Sequence, residues 1–318
     1  MYLLLVVCIL LYFPINYVNK KASNHTGNTT VLFCYCLYTA IVGVAIGFFL
    51  LLFDGANFKL DTPALLSSLL FGSMIVLCQL VTFYSLRITT GALSNMCNTA
   101  SVLIPTLFGI IVFKEEFTIG TGIGIVLFFA AAYLISSKNN ATTEQKPFTL
   151  KTLLACLGVF FSNGLGSVSM QLFAKYSVGV SESGFMFYTY VFTSAILLVF
   201  VSILLINAKR KLSLSATAPT EQTQMQMQAQ AQKPRLPVFA KVLFLFGILS
   251  TAISFFINQA NTVIAPHIPA AVLFPSLKSG ALLMGVLVGW IVFKEKLSVK
   301  NMIGVVLCVA ALIILNLL

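Results

Sequence analysis

The sequence predicts an all-α membrane protein, with ten transmembrane helices in two inverted five-helix repeats. Three observations predict it. Only 8 % of the 318 residues are charged, 59 % are hydrophobic, and the mean hydropathy is +1.00. Ten apolar blocks run from one end of the chain to the other. One phrase, GIIVFKEEFTIGTGIG at 109–124, returns as GWIVFKEKLSVKNMIG at 289–304.

The composition alone decides the solvent. Soluble domains carry about 25 % charged residues. A chain this apolar could not hide its surface from water, so the surrounding medium is lipid. The net charge of +11 does not point to nucleic acid. The Lys and Arg residues stand between apolar blocks and form no basic stripe. The seven Cys lie inside apolar blocks without a CxxC pair and read as packing residues.

The blocks are 2–19, 31–53, 63–86, 90–113, 118–137, 152–174, 182–207, 237–262, 269–293 and 298–318. At 1.5 Å per residue each is about long enough to cross ~30 Å of hydrocarbon. Backbone in lipid must satisfy its own hydrogen bonds, so the blocks are helices. The alternation of a membrane β-barrel is absent. The first block has no basic leader and no small-residue cleavage site before Lys20, so it reads as a retained span. Most connections are short. Residues 138–151 form a linker, and 208–236 hold TEQTQMQMQAQAQKP, a polar tract expected to be disordered.

Fifteen of the nineteen Lys and Arg residues fall in loops after odd-numbered blocks. Lys59, Lys114 and Lys175 follow even-numbered blocks, and Lys278 lies inside the ninth. This bias places the odd-numbered loops in the cytoplasm and both termini outside. The sequons at Asn24, Asn28 and Asn140 lie in the same loops and carry little weight.

Residues 79–128 align with 259–308 without a gap, with 16 of 50 positions identical. A constant offset is the mark of internal duplication. In an earlier register the first block matches the sixth at an offset near 155, which pairs Asn16 with Gln171. The chain thus divides into residues 1–137 and 152–318. Five is odd, so the second unit must enter the membrane from the opposite side. Inverted repeats are a common construction of secondary transporters.

Two five-helix halves, each with Gly-x-x-x-Phe-Lys-Glu-x-x-Thr/Ser between its fourth and fifth helices, resemble the drug/metabolite transporter superfamily, specifically its EamA-type members. The resemblance covers nearly the whole chain. It implies movement of small metabolites such as amino acids, sugars, nucleotide sugars or organic phosphates. It implies a central cavity lined by helices one, three and four and by six, eight and nine. It also implies termini in the cytoplasm, opposite to the charge count.

Lys278 is the leading site candidate. It lies nine residues after Pro269, about 14 Å into the ninth helix. An intramembrane cation faces a cavity or a partner. Lys278 is expected to meet an anionic group of the solute, with Pro275 kinking the helix one turn earlier. Its repeat counterpart is Asn98, and Asn95 stands one turn before that. Gln79 and Gln259 are matched mid-helix amides, with Asn258 beside the second. They bind a polar solute or bond each other's helices. Asn163 and Tyr84 complete the candidates. Glycine pairs such as Gly43/Gly47 and Gly120/Gly124 mark close helix contact.

No catalytic constellation, metal cluster or cofactor motif occurs. No Asp or Glu lies deep in a block, which argues against a proton-coupled pump. The expected function is secondary transport of a small anionic or zwitterionic metabolite by alternating access. The alternatives are a proton-coupled exporter of amino acids or drugs, and a non-transporting polytopic scaffold or sensor. The expected partners are the solute and the lipid bilayer, the expected state monomer or homodimer, and the expected location a plasma or inner membrane. Thr118 and Ser298 are expected to cap the fifth and tenth helices, with Glu115 and Glu295 near their positive ends.

Overall fold

A computed structural model describes residues 1–23, 29–55, 58–88, 91–136, 149–215, 236–294 and 298–317. Eleven helices account for the secondary structure among them. They are α1 (Tyr2–Ser23), α2 (Thr29–Phe53), α3 (Thr62–Ile88), α4 (Gly91–Ala100), α5 (Leu103–Val112) and α6 (Ile119–Ser136). After them come α7 (Leu150–Tyr176), α8 (Glu182–Ser215), α9 (Leu236–Ile264), α10 (Ala270–Ile291) and α11 (Val299–Leu317). Seven segments are long and apolar enough to span a bilayer, and Tyr2–Val18, Met96–Val112 and Ile119–Ile135 are shorter apolar helices. The chain is an all-α, multi-pass membrane protein. Most of the low-complexity tract and of the 138–151 linker lies outside the described residues.

One block departs from the sequence reading. The fourth, expected as a single helix over 90–113, is broken between α4 and α5 at Ser101 and Val102. The cause is Pro105. A proline ring clashes with the carbonyl four residues before it and has no N–H to donate to that carbonyl, and here that residue is Ser101. The chain tightens instead, with the Val102 N–H donating to Thr99 O at 3.3 Å and the Ser101 hydroxyl to Asn98 O at 2.6 Å.

Helix starts are secured by short polar side chains. The Thr118 hydroxyl accepts from the Thr121 N–H at 3.1 Å and the Ser298 hydroxyl from the Asn301 N–H at 3.3 Å. Thr149 and Ser181 serve α7 and α8 in the same way, at 3.3 and 3.2 Å. Each leaves one fewer orphan donor at a helix start. The turns before Thr118 and Ser298 share a further feature. Lys114 has φ of 54° and Lys294 has φ of 52°, the left-handed region that non-glycine residues rarely enter.

Packing runs mainly between the two ends of the sequence. Helix α1 packs on α9 and α10, α2 on α8 and α9, α3 on α7 and α8, and α6 on α11. Close approach depends on glycine. A Cβ at Gly43 would lie 2.2 Å from the Tyr190 ring, and one at Gly164 would lie 2.4 Å from Ile104. The expected packing role of the small residues therefore holds at these contacts.

Asp61 ties two of these elements together. Its carboxylate accepts from the Ala64 N–H at 2.7 Å, capping α3, and from the Val178 N–H at 2.8 Å just after α7. The Ser177 hydroxyl donates to the same carboxylate at 3.1 Å. Burial works against the charge, but the Val178, Ala64 and Ser177 donors outweigh it, so the Asp61 pKa lies below its ordinary value. A depressed carboxylate contributes stability above its unfolded pKa and loses it as the pH falls through the folded one. Thermal unfolding in detergent should thus show a Tm that is level near neutrality and falls below about pH 4. Asp61→Ala should lower the neutral Tm by the loss of one cap, about 1 kcal/mol, and flatten that acid slope. A slope unchanged in the variant would assign the acid transition to another group.

Candidate functional site

The cavity of interest has a volume of about 250 Å³ and lies among α1, α3, α7, α9 and α10. Its wall mixes apolar residues (Phe71, Met74, Ile75, Met170, Phe274, Leu277) with polar ones (Tyr12, Cys78, Gln79, Ser162, Asn163, Ser167, Asn258, Asn261) and Lys278. Among the described residues no carboxylate lines it.

Lys278 is placed by the first two turns of α10, which begin at Ala270 after Pro269. Its ammonium donates to Asn98 Oδ1 at 3.0 Å. These are the matched positions of the duplicated segment, and the fold brings them into contact. Asn98 stands in the last turn of α4, just before the break. A Lys–amide pair keeps the positive charge. A carboxylate partner would have cancelled it, whereas an amide oxygen only solvates it. Lys278 is thus the basic side chain of the wall among the described residues.

The other candidates divide. Gln79 lines the cavity, and its Oε1 has no hydrogen-bond partner among the described residues. Asn163 lines it too, with its amide nitrogen donating to Val159 O at 3.0 Å and to Cys78 Sγ at 3.1 Å. Asn258 lines it as well. Gln259 is turned away, and its amide donates to the Ser183 hydroxyl at 2.8 Å. That assigns Gln259 to interhelical bonding, because the residue beside it on a helix faces about 100° away. Tyr84 is 48 % exposed and is not part of the wall. The Asn95 side chain lies outside the described residues.

Two wall residues were not singled out from the sequence. Asn261 stands three residues after Asn258 and so shares its helical face, a signal that was present. Tyr12 reaches the wall from α1, and nothing in the local sequence of α1 points to it. Asn261 Oδ1, like Gln79 Oε1, has no partner among the described residues. The wall residues therefore include one amine and two amides whose oxygens are buried and unpaired among the described residues.

Asn16 and Gln171, matched in the earlier register, do not reach the cavity wall. Asn16 Nδ2 donates to Ala281 O on α10 at 3.2 Å, and Gln171 Nε2 donates to Pro105 O on α5 at 3.2 Å. Each bonds the backbone of a proline-bearing segment of the other half of the sequence.

No protein-family model and no curated protein matches the chain. Among solved structures, one described as "Crystal structure of protein" is similar at a TM-score of 0.69 and 14 % identity, over 99 % of this chain and 96 % of that chain. At that identity the likeness is one of fold, and it extends over essentially the whole length of both chains.

Proposed function

We propose that this protein is a secondary transporter of the EamA type, moving a small anionic or zwitterionic metabolite by alternating access. The observation that carries the reading is the Lys278–Asn98 contact. Two residues at matched positions of a duplicated segment meet beside the cavity, Lys278 itself lining it, and the contact joins the first half of the sequence to the second.

The ten-span inverted repeat is part of the proposal. On this reading the seven long spans are joined by Tyr2–Val18, by α4 and α5 as one broken span, and by Ile119–Ile135. Support comes from features that recur in both halves. Lys114 and Lys294 share a left-handed φ, Thr118 and Ser298 cap equivalent helices, and Asn16 and Gln171 bond equivalent helices. The packing pairs also survive exchange of the halves. The exchange of α1 with α7 and of α3 with α9 turns the α3–α7 contact into α9–α1, and the α3–α8 contact into α9–α2. Such symmetry lets two conformations interchange between halves around one site.

The cavity wall favours a solute over a proton as the essential cargo, because it holds a lysine and no carboxylate. Purified protein screened by thermal shift against small carboxylates, amino acids and organic phosphates should show a ligand that raises Tm. A ligand at a hundred times its Kd stabilises by about 2.7 kcal/mol. Proteoliposomes should then take up that ligand equally well with and without a pH gradient. Uptake that collapses when the gradient is removed favours the proton-coupled exporter. A stabilising ligand that is never taken up favours a sensor.

A further inference from the structure

We infer that Glu115 is a latch that closes the cavity on one membrane face by capping α10, the helix that carries Lys278. The inference rests on the transport reading for its purpose but not for its geometry.

α10 begins differently from its neighbours. The helices α3, α6, α7, α8 and α11 are each capped by a polar side chain that immediately precedes them. α10 is preceded by Pro269, which has no side-chain acceptor. Its first N–H, that of Ala270, instead donates to Glu115 Oε2 at 2.7 Å, across 155 residues of sequence. The sequence reading had set Glu115 near the start of its own helix. The structure sends it to another helix, where the same preference of a carboxylate for an N-terminus operates between distant segments.

The local backbone is shaped for this reach. Lys114 takes its left-handed φ immediately before Glu115, and the Glu115 N–H turns back to Gly109 O at 3.2 Å. A Cβ on Gly109 would lie 2.6 Å from Glu115 Oε2 and 2.9 Å from the Ala270 Cβ. Only glycine lets the carboxylate and the helix start pass so close to α5. Burial pushes the Glu115 pKa above its ordinary value, while the Ala270 N–H and the charge of Lys175 at the end of α7 pull the other way.

Beneath the latch the start of α10 packs into one apolar cluster. Ile268, Leu273 and Phe274 are buried at 3 %, 1 % and 5 % exposure, and Phe274 is also part of the cavity wall. On this inference the cluster acts as an apolar plug toward the face that carries Asp61, Glu115, Lys175 and His267, pinned at its edge by the Glu115–Ala270 hydrogen bond. Releasing that bond frees the first turns of α10, and with them Phe274 and the position of Lys278.

Cys78 in the cavity wall reports the change without any knowledge of the solute. The native chain in sealed vesicles is treated from each side with a small impermeant methanethiosulfonate, and modification is read cysteine by cysteine by mass spectrometry. The latch requires Glu115→Ala to speed Cys78 modification at least fivefold from the Glu115 face, with buried Cys8 and Cys308 unmodified. Ala270→Pro removes the donor from the other partner, and proline is tolerated at a first helical position. It should act in the same direction. Both variants folded, with Cys78 rates within twofold of the native chain, would overturn the latch and leave Glu115 as a cap alone. Faster labelling in a protein that takes up no solute would keep the latch and sink the transport reading.

Discussion

Replacing Lys278 with methionine is expected to abolish solute uptake while making the protein more stable. The two effects have one cause. An ammonium held away from water pays a desolvation cost that a neutral amide partner offsets only in part. Methionine fills a similar volume without that cost, so Tm should rise by a few degrees. Asn98 then loses its donor, which limits the gain. A hydrogen bond from a charged group is worth about 1.5–3 kcal/mol, or roughly a tenfold to hundredfold loss of affinity for an anionic solute. Lys278→Arg keeps the charge and should retain partial uptake, though a guanidinium fork does not match a single amide oxygen. The measurements are uptake in proteoliposomes and thermal unfolding in detergent. A lower Tm with intact uptake would assign Lys278 to the scaffold.

The second large effect is expected two residues further on. Gly280 faces Ile9, and a Cβ there would lie 2.5 Å from Ile9 Cγ1. Gly280→Leu should force α1 from α10 and destabilise by about 1–3 kcal/mol, the usual range for overpacking. Ile9→Ala opens space at the same contact, so the double variant should recover part of the loss. The readout is the coupling energy from four Tm values. Strict additivity would show that the two side chains do not meet. Because α1 also donates from Asn16 to Ala281 O, Gly280→Leu should weaken ligand binding without removing any group from the cavity wall.

The helices were legible because hydropathy is a one-dimensional signal and lipid leaves the backbone little choice. The Asn98–Lys278 pair was legible for another reason, since the duplication aligns positions that no local pattern connects. Pro105 was visible in the sequence, yet its effect falls four residues earlier, on Ser101, so the break was missed. Gln259 and Asn258 could not be separated from composition, because only the rotation of α9 decides which faces the cavity. Tyr84 was misjudged in the same way. Glu115 was placed near a helix start correctly in kind and wrongly in place. Its partner lies 155 residues away, and no local rule reaches that far.

The interleaving of the two ends of the chain has a consequence for how the protein is made. The bond from Asn16 to Ala281 spans 265 residues. At roughly 5–20 residues per second of synthesis, α1 waits about 15–50 s for α10 to emerge. During that interval α1, α2 and α6 sit in the bilayer with their main packing faces open to lipid and to other nascent chains. Polar groups on those faces, Asn16 and Tyr12 among them, must be hydrated, shielded or held by assisting factors until their partners arrive. A ribosome pause or a truncation after residue 137 therefore yields an orphan that membrane quality control can recognise by those exposed amides.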